Sequence, residues 1–90
     1  MPDNERNTIL PIDGMPNLDD MVRLDRAILP VVTAVAAMQG GRIPHAEPAT
    51  MRAIAELMDA VKGWAEEPIK SKDFTMRLAA QAEKVGALLR

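Results

Sequence analysis

Residues 26–38 read RAILPVVTAVAAM, so that twelve uncharged residues follow Arg26, with a proline at position 30. Crossing a bilayer as a helix takes about 20 apolar residues. Charged residues precede this run, and two glycines and Arg42 follow it, so no shift of the window lengthens it. We therefore predict that the segment does not span a membrane.

The apolar residues of this region recur at alternating spacings of three and four, which is typical of an amphipathic helix. The main row comprises Met21, Leu24, Ile28, Val31, Val35 and Met38. A second apolar row lies beside it and comprises Val22, Leu29, Val32 and Ala36. After residue 27 most of the helix circumference is apolar, and we expect other helices to cover it.

Pro30 interrupts neither row, although an interior proline lacks an amide hydrogen and crowds the carbonyl four residues earlier, at a cost of about 3 kcal/mol. The continuing register favours one helix, residues 18–39, bent at Pro30. The alternative is a break near residue 29, with Pro30 opening a second helix. Asn17 is predicted to cap the start of the helix, and the glycine pair after residue 39 is predicted to end it.

Two further helices are predicted at residues 48–66 and 72–89. Pro48 suits the first position of the former, and Ser71 suits the cap of the latter. Gly86 predicts either a close helix contact or a frayed end. No alternating strand pattern competes with the helical periodicity. The predicted fold class is therefore all-α, a small three-helix bundle with a Pro-kinked first helix.

Residues 1–16 contain three prolines and a glycine, with neither helical nor strand periodicity. They predict an extended N-terminal arm before a helical domain at residues 17–90. The arm carries an apolar cluster that is able to dock onto a groove, on its own domain or on a partner: Ile9, Leu10 and Ile12. A partly ordered tail is the favoured interpretation, because chain termini are often poorly fixed.

A chain of 90 residues forms one domain and buries only roughly 60 to 70% of the surface of its unfolded form. It has no cysteine and a single histidine, so neither disulfides nor an ordinary structural zinc site stabilises it. Self-association remains, and we expect a homodimer. The lack of cysteine fits a reducing compartment, and no secretory signal is visible at the N-terminus, so the expected localisation is cytoplasmic.

The net charge of −2 is unevenly distributed along the chain. Residues 1–26 hold six acidic side chains against three basic ones, whereas residues 68–90 hold five basic side chains against two acidic ones. We expect the two ends to attract each other, within one chain or between two chains. At an exposed surface such attraction contributes at most about 1 kcal/mol per pair.

No grouping of catalytic or cofactor-binding residues is apparent. His45 has no second histidine or cysteine to complete a metal site, and a catalytic histidine needs a positioned neighbour. Ser71 has no nearby base, and the glycines form no phosphate-binding loop. The sequence therefore predicts a protein that is not an enzyme and that uses no cofactor or metal.

The favoured function is a small non-catalytic helical module for protein–protein interaction, acting as a homodimer. An adaptor, a chaperone-like subunit and a regulator all fit this description. The expected partners are a second copy of the chain and an unidentified protein. The predicted partner-binding residues combine the arm cluster with the first helix: Ile9, Leu10, Ile12, Ile28, Val31, Val32, Val35 and Met38.

The alternative function is association with nucleic acid. Lys70, Arg77 and Lys84 are spaced by seven and predict a basic stripe on the third helix. The chain is acidic overall and offers only two aromatic side chains, so a solvated helix face is the favoured interpretation.

Overall fold

The computed structural model describes residues 14–90, which form three helices and, within that range, no strand. The helices are α1 (Leu18–Gln39), α2 (Pro48–Glu66) and α3 (Lys72–Leu88). The architecture is all-α, as the periodicity predicts. The observed bounds lie within one residue of those expected from the sequence.

Local hydrogen bonds fix both ends of α1. The Asn17 side chain accepts from the Asp20 amide at 2.9 Å, and the Asp20 carboxylate accepts from the Asn17 amide at 3.0 Å. This reciprocal capping box satisfies two amides that the first turn leaves unpaired. At the other end Gly41 has φ +73°, and the amide of Arg42 donates to the Ala37 carbonyl at 2.9 Å. The left-handed backbone favours glycine at this position.

Pro30 lies inside α1, which continues through it as one helix from Leu18 to Gln39. The alternative of a helix break near residue 29 is therefore wrong. The bend that we expect at Pro30 stays a prediction.

Helix α3 packs against both α1 and α2, whereas α1 and α2 make few direct contacts. The core between the helices consists of Leu24, Ala27, Val31, Met38, Ile54, Leu57, Leu78, Ala79, Ala82 and Val85. Three of the largest fully buried side chains, Val31, Leu57 and Leu78, come one from each helix. The interior is thus organised around α3.

Side-chain contacts define the directions of the helices. Asp20 near the start of α1 pairs with Lys72 at the start of α3, and Arg23 pairs with Glu83 further along. Helices α1 and α3 therefore run in the same direction. Trp64 near the end of α2 bonds to Thr75 near the start of α3, so α2 runs antiparallel to both.

The α2–α3 junction is held by a short hydrogen-bond chain. Trp64 Nε1 donates to Thr75 Oγ1 at 2.8 Å, and this hydroxyl donates to the Ser71 carbonyl at 2.6 Å. The Ser71 side chain accepts from the amide of Phe74 at 3.1 Å, which confirms its predicted role as the helix cap. These bonds satisfy the indole N–H of Trp64 and the hydroxyl of Thr75, whereas Glu67 Oε1, also in the junction, is buried without a hydrogen-bond partner among the described residues.

Gly86 makes no close helix contact. A Cβ atom built on it meets nothing within 4 Å, so the prediction of a close approach is wrong. Gly86 lies inside α3, which ends two residues later at Leu88.

Candidate partner-binding surface on the first helix

An apolar row on α1 is left uncovered by the rest of residues 14–90. We call it the outer row; its members are Leu18, Val22, Asp25, Leu29, Val32 and Ala36, all of them exposed. The exposed fractions of its large apolar members are 77% for Leu18, 38% for Val22, 65% for Leu29 and 45% for Val32. Single exposed apolar side chains are ordinary, but an aligned set on one helix face is a candidate binding surface.

The outer row lies on the far side of α1 from the core. Leu29 follows the buried Leu24 by five residues, which places it about 140° around the helix axis. The buried residues of α1 face α3 and α2 on the opposite side: Leu24, Ala27, Val31 and Met38. Because α3 is the main helix packed on α1, it cannot cover the whole circumference of α1.

The predicted partner-binding residues of α1 divide between core and surface. Val31 and Met38 are 0% and 3% exposed and belong to the core, so their assignment to a partner surface is wrong. Ile28 and Val35 are half-buried and pack against the same core. Val32 alone of this set is exposed.

The predicted arm residues Ile9, Leu10 and Ile12 lie outside the described residues. Their part in binding stays a prediction.

A groove of about 550 Å³ runs between α1 and α3 beside the outer row. We call it the α1–α3 groove. Its lining combines small apolar residues with charged ones: Asp19, Val22, Arg23, Arg26, Ala27, Pro30, Ala82, Glu83, Gly86 and Arg90. Val22 belongs to both the groove and the outer row.

Two ion pairs join α1 to α3, and one of them, Arg23 with Glu83, lies in this groove. The Arg23 guanidinium donates two hydrogen bonds to the Glu83 carboxylate, at 2.9 and 2.7 Å, and holds the pKa of Glu83 below its usual value. Lys72 Nζ lies 2.7 Å from Asp20 Oδ2, and its hydrogen bond lowers the pKa of Asp20, with a further contribution from the Asn17 amide. Both carboxylates are therefore charged near neutral pH.

The predicted basic stripe is not assembled on α3. Lys70 precedes that helix and folds back onto the end of α2, where Nζ donates to the carbonyls of Ala65 and Glu67 and lies 4.9 Å from the Trp64 ring centroid. A seven-residue spacing predicts one face only when all three residues are helical.

The two remaining members of that stripe lie on α3. Arg77 is exposed and bonds to Asp73 at 2.9 Å, one turn earlier. Lys84 is exposed and forms no ion pair with residues 14–90. Together they offer little of the phosphate-binding surface that the nucleic-acid hypothesis requires.

His45 is exposed in the loop between α1 and α2. Within the described range no three His, Cys, Asp or Glu side chains are grouped so that they would hold a metal ion. None of the helices described is both long and apolar enough to cross a bilayer.

The sequence matches no protein-family model, no curated protein and no solved structure.

The signal that separates the two apolar rows of α1 is the position of Asp25. Asp25 falls in register with Val22 and Leu29, so the outer row contains a charged residue between its apolar members. The main row, from Met21 to Met38, carries none. Because burying an unpaired carboxylate is costly, the row containing Asp25 is the one that faces outward.

Proposed function

We propose that this protein is a non-catalytic protein–protein interaction module whose first partner is a second copy of itself, bound through the outer row of α1. The observation that carries the proposal is the exposure of Leu29 and Val32 at the middle of a helix whose other side is already packed. Burial of one such side chain contributes about 1.5 to 3 kcal/mol.

The spacing of the outer row supports pairing with an identical row. Its positions 18, 22, 25, 29, 32 and 36 are separated by four, three, four, three and four residues, a series that reads the same in both directions. Two copies related by a two-fold axis near residue 27 therefore match Val22 of one copy with Val32 of the other. Leu18 is likewise matched with Ala36. Such a contact closes on itself and stops at a dimer.

Asp25 moderates this pairing. In the antiparallel arrangement it lies level with Leu29 of the other copy, where a carboxylate lowers the gain from apolar burial. A reversible dimer is the expected result. A reversible dimer allows another protein to replace the second copy on the outer row, as an adaptor, a chaperone-like subunit or a regulator requires. The proposed site of action is the cytoplasm, inferred from the lack of cysteine.

The test compares two double variants by sedimentation equilibrium at micromolar concentrations. In the first, Leu29→Gln and Val32→Gln make the centre of the outer row polar. The matched control carries Ile69→Gln and Leu88→Gln, which alter apolar residues that are 70% and 58% exposed elsewhere. Circular dichroism verifies that both variants keep their helices.

We expect the wild type and the control to dimerise alike. The outer-row variant should have a dissociation constant at least about tenfold higher, which corresponds to about 1.4 kcal/mol. Equal dissociation constants for the two variants would refute the proposed interface.

A further inference from the structure

Asp25 and Arg26 are two neighbouring charges at the middle of α1. Both are exposed, and neither forms an ion pair with any residue of the range 14–90. Asp25 is the only charged member of the outer row, where a carboxylate lowers the gain from apolar burial. The proposed interface therefore contains a charge that lacks a counterion among the described residues.

Helix α1 itself offers no partner to either charge. On a helix, ion pairs form between residues three or four positions apart. The neighbours of Asp25 at these distances are all apolar: Met21, Val22, Ile28 and Leu29. The neighbours of Arg26 at these distances include no acidic residue: Val22, Arg23, Leu29 and Pro30. A counterion for either charge must therefore come from outside α1.

The antiparallel dimer brings the two charges of one copy next to those of the other. With the two-fold axis near residue 27, Arg26 of one copy lies level with Ile28 of the other copy. Asp25 of that other copy is three residues away, which is about 4.5 Å along the helix. Residues that flank an apolar seam, as Arg26 flanks the outer row, commonly form the ion pairs between two packed helices.

A parallel pairing of the same rows would not neutralise these charges. It would place each residue of the outer row level with the same residue of the other copy, so that the two Asp25 carboxylates would meet. Like charges that face each other oppose association. The antiparallel arrangement places opposite charges close together instead, so the positions of Asp25 and Arg26 discriminate between the two directions.

We infer that Asp25 of each copy forms an ion pair with Arg26 of the other, and that these two symmetric pairs set the antiparallel direction of the dimer. The inference rests on the proposed function, because it needs the outer row to bind a second copy. The pairs lie at the solvent-exposed edge of the interface, where each contributes only modestly to affinity. Their main effect is specificity, since an apolar partner without a matching cation leaves Asp25 unpaired.

The test exchanges the two charges, singly and together, and measures the dissociation constant of the full chain by sedimentation equilibrium. Asp25→Arg and Arg26→Asp each replace both ion pairs of the symmetric dimer by like charges. Each should raise the dissociation constant about fivefold. The double variant restores opposite charges at both contacts and keeps the net charge of the wild type. Its dissociation constant should return to within about twofold of the wild-type value, because the two changes are coupled.

The matched control applies the same exchange to Arg52 and Glu56, two exposed residues of α2. Arg52→Asp, Glu56→Arg and their combination change the net charge by the same amounts as the test variants. They should leave the dissociation constant unchanged, because they lie outside the outer row. Circular dichroism verifies that every variant keeps its helices.

Two results would overturn the inference, and they differ in what they say of the dimer. If the wild type dimerises but the double variant is no tighter than the single variants, Asp25 and Arg26 do not meet across the interface. The outer-row dimer then stands without the ion pairs. If the wild type stays monomeric, the proposed dimer fails and the ion pairs fail with it.

Discussion

Thr75 links two helices through a single hydroxyl group. It is fully buried, accepts from Trp64 Nε1 at 2.8 Å and donates to the Ser71 carbonyl at 2.6 Å. Replacing the hydroxyl by a methyl group preserves volume but removes both interactions. The indole N–H of α2 would then lack its partner at the junction with α3.

Thr75→Val should therefore lower the free energy of unfolding by about 1 to 3 kcal/mol, the usual cost of leaving a buried donor unsatisfied. Urea unfolding followed by fluorescence measures the change, since Trp64 is the only tryptophan. Thr33→Val, at an exposed position of α1, is the control and should change stability by less than about 0.5 kcal/mol. A Thr75→Val protein as stable as the control would show that the hydroxyl contributes little.

Single residues were predictable from sequence where their role is local. Asn17 and Ser71 cap helices because their side chains accept from amides two or three residues ahead, a pattern visible in sequence. Val31 and Val32 are neighbours of the same type, yet one is buried and the other exposed. Composition cannot separate them, because the difference arises from which side of α1 meets α3.

At the scale of elements, the pairing of α1 with α3 combines apolar burial with two ion pairs. The sequence predicted attraction between the acidic N-terminal part and the basic C-terminal part, and Asp20 with Lys72 realises it within one chain. In the pair of Arg23 with Glu83 the basic residue is on α1 and the acidic residue on α3. The sequence did not predict this pair, because the net charge of a segment does not show which individual residues pair. Both pairs fix the parallel direction of the helices.

These ion pairs predict a dependence of stability on pH. The pKa values of Asp20 and Glu83 are lowered from ordinary values of 3.8 and 4.5, so protonation favours the unfolded chain. The two charged carboxylates contribute fully to stability at pH values above their ordinary pKa values. That contribution is lost as the pH falls through their lowered pKa values in the folded protein. A variant carrying both Asp20→Asn and Glu83→Gln should have a lower free energy of unfolding than the wild type at pH 7. This difference in free energy, called the gap below, should narrow towards pH 3.

Urea unfolding at several pH values measures this gap. The control variant, Glu56→Gln with Asp59→Asn, changes two exposed carboxylates of α2 that form no ion pair with described residues. It should show no comparable narrowing. A gap that is the same at pH 7 and pH 3 would contradict the role given to the two pairs.

The existence and bounds of all three helices were predictable, because apolar periodicity, caps and breakers are local features. The central position of α3 was not, since it depends on how much apolar surface each helix presents to the others. Lys70 illustrates the limit: the seven-residue spacing aligned it with α3, but Pro68 and the cap at Ser71 leave it outside that helix. It caps the end of α2 instead.

At the scale of the whole molecule, two neighbouring surfaces of α1 are left open by residues 14–90. The outer row suits an identical row, and the α1–α3 groove lies beside it. Val22 contributes to both surfaces, so occupation of the groove changes the edge of the proposed dimer interface. A small chain without disulfides gains stability from each surface that it covers.

The most direct measurement is an isotope-filtered nuclear Overhauser experiment on a mixture of ¹³C-labelled and unlabelled chains, which detects only contacts between copies. The proposed dimer predicts contacts between Val22 of one copy and Val32 of the other, and between Leu18 of one copy and Ala36 of the other. A sample at dimer-forming concentration in which the outer row gives no contact between copies would contradict it.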